Sequence, residues 1–164
     1  MSVPSSTPSY KDIVLQLKSQ YSGGNMYVGR FLLINAGESI VNSGFMGSET
    51  VVSLGSNDSI KSEAPACIAA PLVTMVAKNA IDLGVLGQRE LRVPVRLYSP
   101  EQLIITTNHF SIGDLSFLVE PKKAYISCKK LTLIKSTDEE PSVFEKVKSF
   151  LMSDDCEIEV MRRS

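Results

Sequence analysis

Tryptophan is missing from this chain, histidine occurs once and cysteine three times. Each shortage narrows the chemistry. His109 is the only imidazole, so general acid–base catalysis on histidine has one possible seat. Cys67, Cys128 and Cys156 form no close pair in sequence, whereas structural zinc sites draw their ligands in such pairs because a short loop closes cheaply. A metal site joining them to His109 would need a coincidence of folding, and the expectation is no metal and no cofactor. Reduced, buried thiols acting as small hydrophobes are expected instead. Long apolar runs are lacking too. The longest, "APACIAAPLVTMVA", is too short to span a bilayer and contains two prolines. The opening "MSVPSSTPSY" has neither the charged start nor the apolar stretch of a secretory signal, and Ser2 in place of glycine excludes N-myristoylation. An intracellular, cytoplasmic chain with no transmembrane segment is the expectation.

Catalytic signatures are equally scarce. No G-x-S-x-G elbow occurs, and Ser48 in "GFMGSET" lacks the strand–turn–helix setting which that motif needs. Ser127 and Lys130 satisfy S-x-x-K, but they lie in a stretch that reads as one strand, where residues three apart face opposite sides. Neither phosphate-binding glycine pattern is present. The remaining enzymatic possibility is a small hydrolase using His109, with Asp114 nearby in sequence. Nothing singles out a nucleophile, a catalytic set or a small-molecule substrate, and the chain reads as non-enzymatic.

What is present fits one soluble globular domain. The 164 residues are 43% apolar and 21% charged, with a formal net charge of −1. That balance gives no overall attraction to nucleic acid or anionic membrane, but the charge is unevenly spread. Residues 89 to 135 carry 8 basic and 4 acidic side chains, and residues 136 to 161 carry 2 basic and 8 acidic.

Pattern reading gives a flexible arm over residues 1–8 and one α+β domain over 9–164, with a mainly antiparallel sheet and two or three helices. Ser9 and Asp12 resemble a capping box before a short helix striped by Ile13, Val14 and Leu17. "NMYVGRFLLIN" reads as a buried strand, followed by short strands at Ser39 to Val41 and Thr50 to Leu54 in a meander. "APLVTMVAKNAIDLG" predicts a helix with Pro71 in its first turn, Gly84 as its stop, and Leu72, Met75, Val76, Ala80 and Leu83 on one face. Strands follow in "RELRVPVRLYS", "QLIITT", "LSFLVE" and "AYISCKKLTLIK". Pro141 opens a last helix striped by Val143, Phe144, Val147, Phe150 and Leu151, and "EIEVM" adds a final strand. No internal repeat is evident.

Two surfaces follow. In "RELRVPVRLYS" the residues Leu91, Val93, Val95 and Leu97 alternate with a wet side bearing Arg92 and Arg96. Arg89, Lys122, Lys123, Lys129, Lys130 and Lys135 extend it if the neighbouring strands lie alongside. Such a basic sheet face suits an acidic partner. It also suits RNA phosphate or anionic lipid, although aromatics for base stacking are few. The acidic tail with Asp154, Asp155 and Glu157, and the apolar stripe of Tyr10, Ile13, Val14 and Leu17, are candidates for self-association. The leading expectation is a self-associating assembly protein, a homo-oligomer. The arm "PSSTPSYKDI", with Tyr10 and Ile13 in a Tyr-x-x-apolar pattern, is similar to the proline–tyrosine tails of viral assembly proteins. With the split charge and small size, the layout resembles matrix-type structural proteins of negative-strand RNA viruses. The paired prolines and strongly basic balance of those proteins are absent. That resemblance implies self-association and contact with a ribonucleoprotein or a membrane.

Overall fold

From Asn25 onward a period of two, not 3.6, governs which side chains are inside. Leu32, Ile34 and Ala36 are buried, as are Val52 and Leu54, Val73 and Met75, and Leu103 and Ile105. Their sequence neighbours are partly or fully exposed on the other side. A strand with alternate residues inside is the direct consequence. The structure, a computed structural model, describes residues 10–17, 20–22, 25–62, 66–83, 95–113, 117–119, 121–135, 150–152 and 156–162. Side chains are described for 25–62, 66–83, 95–112, 121–132 and 156–157.

The strands wind into coils whose rungs stack in parallel register. One ladder, face A, contains β1 (Tyr10–Leu17), the second half of β3 (Asn25–Ala36), β6 (Val51–Ser56), β9 (Leu72–Ala77), β12 (Gln102–Thr106), β15 (Lys123–Ser127) and β17 (Phe150–Met152). Face B contains β2 (Gln20–Ser22), β4 (Ser39–Asn42), β7 (Ser59–Ser62), β10 (Ala80–Leu83), β13 (His109–Gly113), β16 (Lys130–Lys135) and β18 (Glu157–Arg162). Face C contains the first half of β3, β5 (Phe45–Ser48), β8 (Cys67–Ala69), β11 (Arg96–Tyr98) and β14 (Phe117–Val119). The long strand β3 serves two faces because its first half pairs β5 and its second half pairs β6. From β3 to β16 each coil therefore visits C, A and B and returns one rung along. This architecture is a β-solenoid.

Stacking creates columns of like residues inside. Ile40, Ile60, Ile81, Phe110 and Leu131 follow one another in register on face B, and all are fully buried. A single apolar cluster runs from Met26 to Leu131. Corners are closed by hydrogen bonds from inward-pointing serines. The Ser48 hydroxyl donates to the Arg30 carbonyl and accepts the amides of Thr50 at 3.0 Å and Val51 at 3.1 Å. The Ser56 hydroxyl repeats the device, donating to the Glu38 carbonyl and accepting the Asp58 amide at 3.0 Å. A backbone ladder also climbs the A–B corner through Glu38, Asp58, Asn79, Asn108 and Lys129.

This overturns the α+β expectation and its antiparallel sheet. All pairings are parallel, and no helix occurs among the described residues. Tyr10 to Leu17 is β1 rather than a capped helix, in register with Val28 to Ala36. The helix expected over "APLVTMVAKNAIDLG" is β9, a corner and β10. Partly exposed Leu72 and 44% exposed Val76 lie on the outer side of β9. Apolar residues on both sides of a strand imitate a helical stripe, and the imitation misled the pattern. Phe150 and Leu151 belong to β17, while Pro141 to Val147 lie outside the described residues. "AYISCKKLTLIK" is two strands separated by the Cys128–Lys129 corner. The overlooked repeat is the coil. In register, Phe31 to Val51 spans 20 residues, and Val51 to Leu72 and Gln102 to Lys123 span 21 each. Between Leu72 and Gln102 the interval is 30, which hides the period in the sequence.

Candidate functional site

Face A presents an unusual outer surface. Its outward positions over five consecutive rungs are Phe31, Leu33 and Asn35, then Val51, Ser53 and Gly55, then Leu72, Thr74 and Val76. Gln102, Ile104 and Thr106 follow, and then Lys123, Tyr125 and Ser127. None of these fifteen is buried, and Phe31 and Val76 are 39% and 44% exposed. Only Lys123 is charged, although 21% of the chain is. A solvated sheet face would hold several charges, so the deficit marks a surface not shaped for water alone. The rung spacing of about 4.8 Å and the strand rise of about 3.3 Å per residue give a footprint of about 24 Å by 17 Å, or roughly 400 Å². That is the size of patch that is often functional on a monomer.

A depression lies on this face. Gly55 lies between Asn35 and Val76, and a Cβ there would sit 2.6 Å from the Asn35 Oδ1. The resulting trough of about 650 Å³ is lined by Asn35, Ser53, Gly55, Asn57 and Val76 among others, all uncharged. It offers neither an acid–base group nor an ion pair to a substrate.

The residues singled out by sequence are distributed rather than gathered. Arg96 is exposed on face C, Lys123 is exposed on face A, and Lys130 is half-buried on face B. Lys122 is exposed before β15 and pairs with Glu101 at 3.2 Å, with both side chains more than half in water. Such pairs contribute little. Lys129 is exposed at the A–B corner, and Lys135 ends β16 opposite Arg162. Arg89 and Arg92 lie outside the described residues. Tyr10, Ile13, Val14 and Leu17 fall on β1, in the first coil, and Glu157 falls on β18, in the last. Glu157 stands in register with Lys130, Glu159 with Thr132 and Arg162 with Lys135, so one pair in this ladder sets opposite charges side by side. Asp154, Asp155 and most of the arm "PSSTPSYKDI" lie outside the described residues.

His109 lies on β13, half-buried. Its Nε2 shares a hydrogen bond of 2.7 Å with the Thr132 hydroxyl, and the Ser111 hydroxyl is 3.4 Å away. Ser111 and Asp82 are in register, as are Ser111 and Thr132. The set resembles nucleophile, base and acid by residue type. However, Ser111 and Thr132 are 1% and 2% exposed, and a nucleophile must be open to substrate. The arrangement satisfies buried hydroxyls.

Cysteine chemistry is unequal along the solenoid. Burial raises the Cys67 thiol above its ordinary value, with Arg96 beside it in register partly offsetting the rise. Burial, and next the hydrogen bond and charge of Cys156, push Cys128 up to about 12. Among the described residues no cluster of three metal-ligating side chains occurs, and no helix is long and apolar enough to cross a membrane.

Sequence reasoning placed Phe31 and Leu33 in a buried strand and Leu72 and Val76 on a helix face, and did not single out Val51, Ile104 or Tyr125 as part of an outer surface. The available signal was their alternation with buried residues along each strand. No protein-family model, curated protein or solved structure matches this chain.

Proposed function

We propose that the chain is a non-enzymatic, self-associating structural protein, and that face A carries the contact between copies. The supporting observation is the charge-poor outer surface of five stacked rungs, with Phe31 and Val76 exposed on it. A charged partner would find only Lys123 among the outward positions, and the Arg30 guanidinium 5.3 Å over the Phe31 ring, whereas a second copy offers a surface of the same flatness and polarity. Two sheet faces pack about 10 Å apart by burying each other's outward side chains.

Two arrangements are open to a two-fold contact. A two-fold along the solenoid axis reverses the strands and sets Lys123 against Ser127. A two-fold along the strands reverses the axis and sets Lys123 against Phe31, over whose ring the Arg30 guanidinium already lies 5.3 Å from the centroid. The first arrangement keeps the cationic groups apart. The footprint fixes the strength. Roughly 400 Å² per copy is about half of a standard interface, so association is weak and depends on concentration. An extended ladder or additional surface would be needed for a permanent dimer.

Sedimentation equilibrium across a concentration series tests this with wild type and Phe31→Asp/Val76→Asp, each checked for folding by circular dichroism. Wild type should gain mass with concentration at both low and high salt, because the contact is apolar. The variant should stay monomeric with its spectrum unchanged. A strictly monomeric wild type, or a folded variant that associates equally well, would remove the proposal. An oligomer that dissolves in salt would point instead to the charged segments.

A further inference from the structure

Cys128 and Cys156 belong to successive coils at the A–B corner, just before β16 and β18. Their Sγ atoms are 3.4 Å apart, and no disulfide joins any of the three cysteines. The backbone beside them is fixed: the Glu157 amide donates to the Lys129 carbonyl at 2.9 Å, and Lys130 and Glu157 stand in register. Two sulfurs held this close by paired strands need only small rotations about their Cα–Cβ bonds to reach bonding distance of about 2.05 Å. We infer that Cys128 and Cys156 are a site of reversible disulfide formation that clips the last coil to the coil beneath it.

Accessibility orders the steps. Cys156 is half-buried, whereas Cys128 is 4% exposed. The Cys156 thiolate attacks one sulfur of a low-molecular-weight disulfide such as glutathione disulfide, and the first glutathione leaves as thiolate and takes up a proton. Cys128 then gives up its proton and attacks the Cys156 sulfur of the mixed disulfide, displacing the second glutathione as a thiol. Two protein thiols are oxidised, one external disulfide is reduced to two thiols, and no proton is gained or lost in total. Cys67 sits on face C in register with Phe45 and Arg96 and takes no part. The consequence is mechanical. β18 pairs only with β16 among the described residues, and a covalent link at its start opposes its peeling away.

The full-length chain is equilibrated in glutathione buffers of rising oxidation and quenched with acid. It is then digested without reduction for mass spectrometry, and its remaining thiols are counted after unfolding. The expected product is a monomer with a Cys128–Cys156 peptide pair lighter by two hydrogens, and one remaining thiol, Cys67. Cys67→Ser should leave the bond intact, and Cys156→Ser should abolish it. Hydrogen exchange of β18 amides should slow by roughly tenfold or more on oxidation. A bond involving Cys67, an intermolecular dimer, a mixed disulfide stopping at Cys156, or three intact thiols in the most oxidising buffer would each overturn the assignment. Unchanged exchange in β18 after bond formation would overturn the clip. Cys156→Ser carries the test if a substitution at buried Cys128 prevents folding.

Discussion

Phe110→Ala probes the column stacking directly. Phe110 is the largest of the fully buried side chains and lies in register between Ile81 and Leu131, both also at 0% exposure. Each neighbour is tied by its own strand hydrogen bonds, so neither can slide along the solenoid axis to fill the gap. Phenylalanine-to-alanine changes in cores cost about 3–5 kcal/mol, and more where the surroundings cannot collapse. The fixed rungs place this one near the upper part of that range, about 4 kcal/mol. Typical domains have about 5–15 kcal/mol in all. Urea denaturation followed by circular dichroism would measure the loss by linear extrapolation. Because coils couple mainly to their neighbours, hydrogen exchange should accelerate first in β10, β13 and β16, with β4 and β6 affected less. Adding Leu131→Phe to Phe110→Ala returns volume to the same column and should recover at least about 1 kcal/mol. Leu54→Phe, on face A, should not. A cost below about 1 kcal/mol, or equal rescue from Leu54→Phe, would refute the column argument.

Other substitutions address other links. His109→Ala leaves the Thr132 and Ser111 hydroxyls short of a partner and should cost about 1–3 kcal/mol, measured by thermal or urea melts; no loss would show that the ring supports nothing. Asn79→Ala removes the 2.7 Å bond from its amide nitrogen to the Asp58 carboxylate on the exposed corner. Being solvent-exposed, this should cost about 0.5–1.5 kcal/mol in the same assay, and a larger loss would mean the corner ladder depends on it. Alkali should destabilise the fold through Cys128. Its thiol keeps its proton to about 12 in the native state against 9.0 when unfolded. The unfolded state therefore sheds the proton first, and stability present below pH 9 falls as pH rises toward 12. The slope contributed is at most about 1.4 kcal/mol per pH unit. Cys128→Ser should flatten that part of the stability–pH curve, and an identical slope in both proteins would reject the assignment.

Much of the local structure was legible before the fold was known. The strands over Asn25 to Asn35, Gln102 to Thr106 and Lys130 to Lys135 announce themselves by β-branched and aliphatic residues between turn formers. Where outer positions are themselves apolar, as with Leu72 and Val76, two periods fit the same letters and the wrong one was preferred. Direction of pairing was not legible. Short strands joined by short turns suggest hairpins, whereas these corners carry the chain around a bend and lay each strand on the one about 20 residues earlier. Charge was legible as a sum along the chain but not as a surface, because Arg96, Lys123 and Lys130 leave the solenoid in three directions.

By itself, the order of residues determined some of the strands (β3, β6, β12 and β16 among them), the scarcity of catalytic groups and the uneven charge, since each depends on neighbours within a few positions. The tertiary structure alone decided that the strands are parallel, that Cys128 meets Cys156, and that fifteen scattered outward positions form one nearly uncharged face. The physical reason is the coil. A contact one rung away costs about 20 residues of chain, so its partners never appear side by side in the sequence.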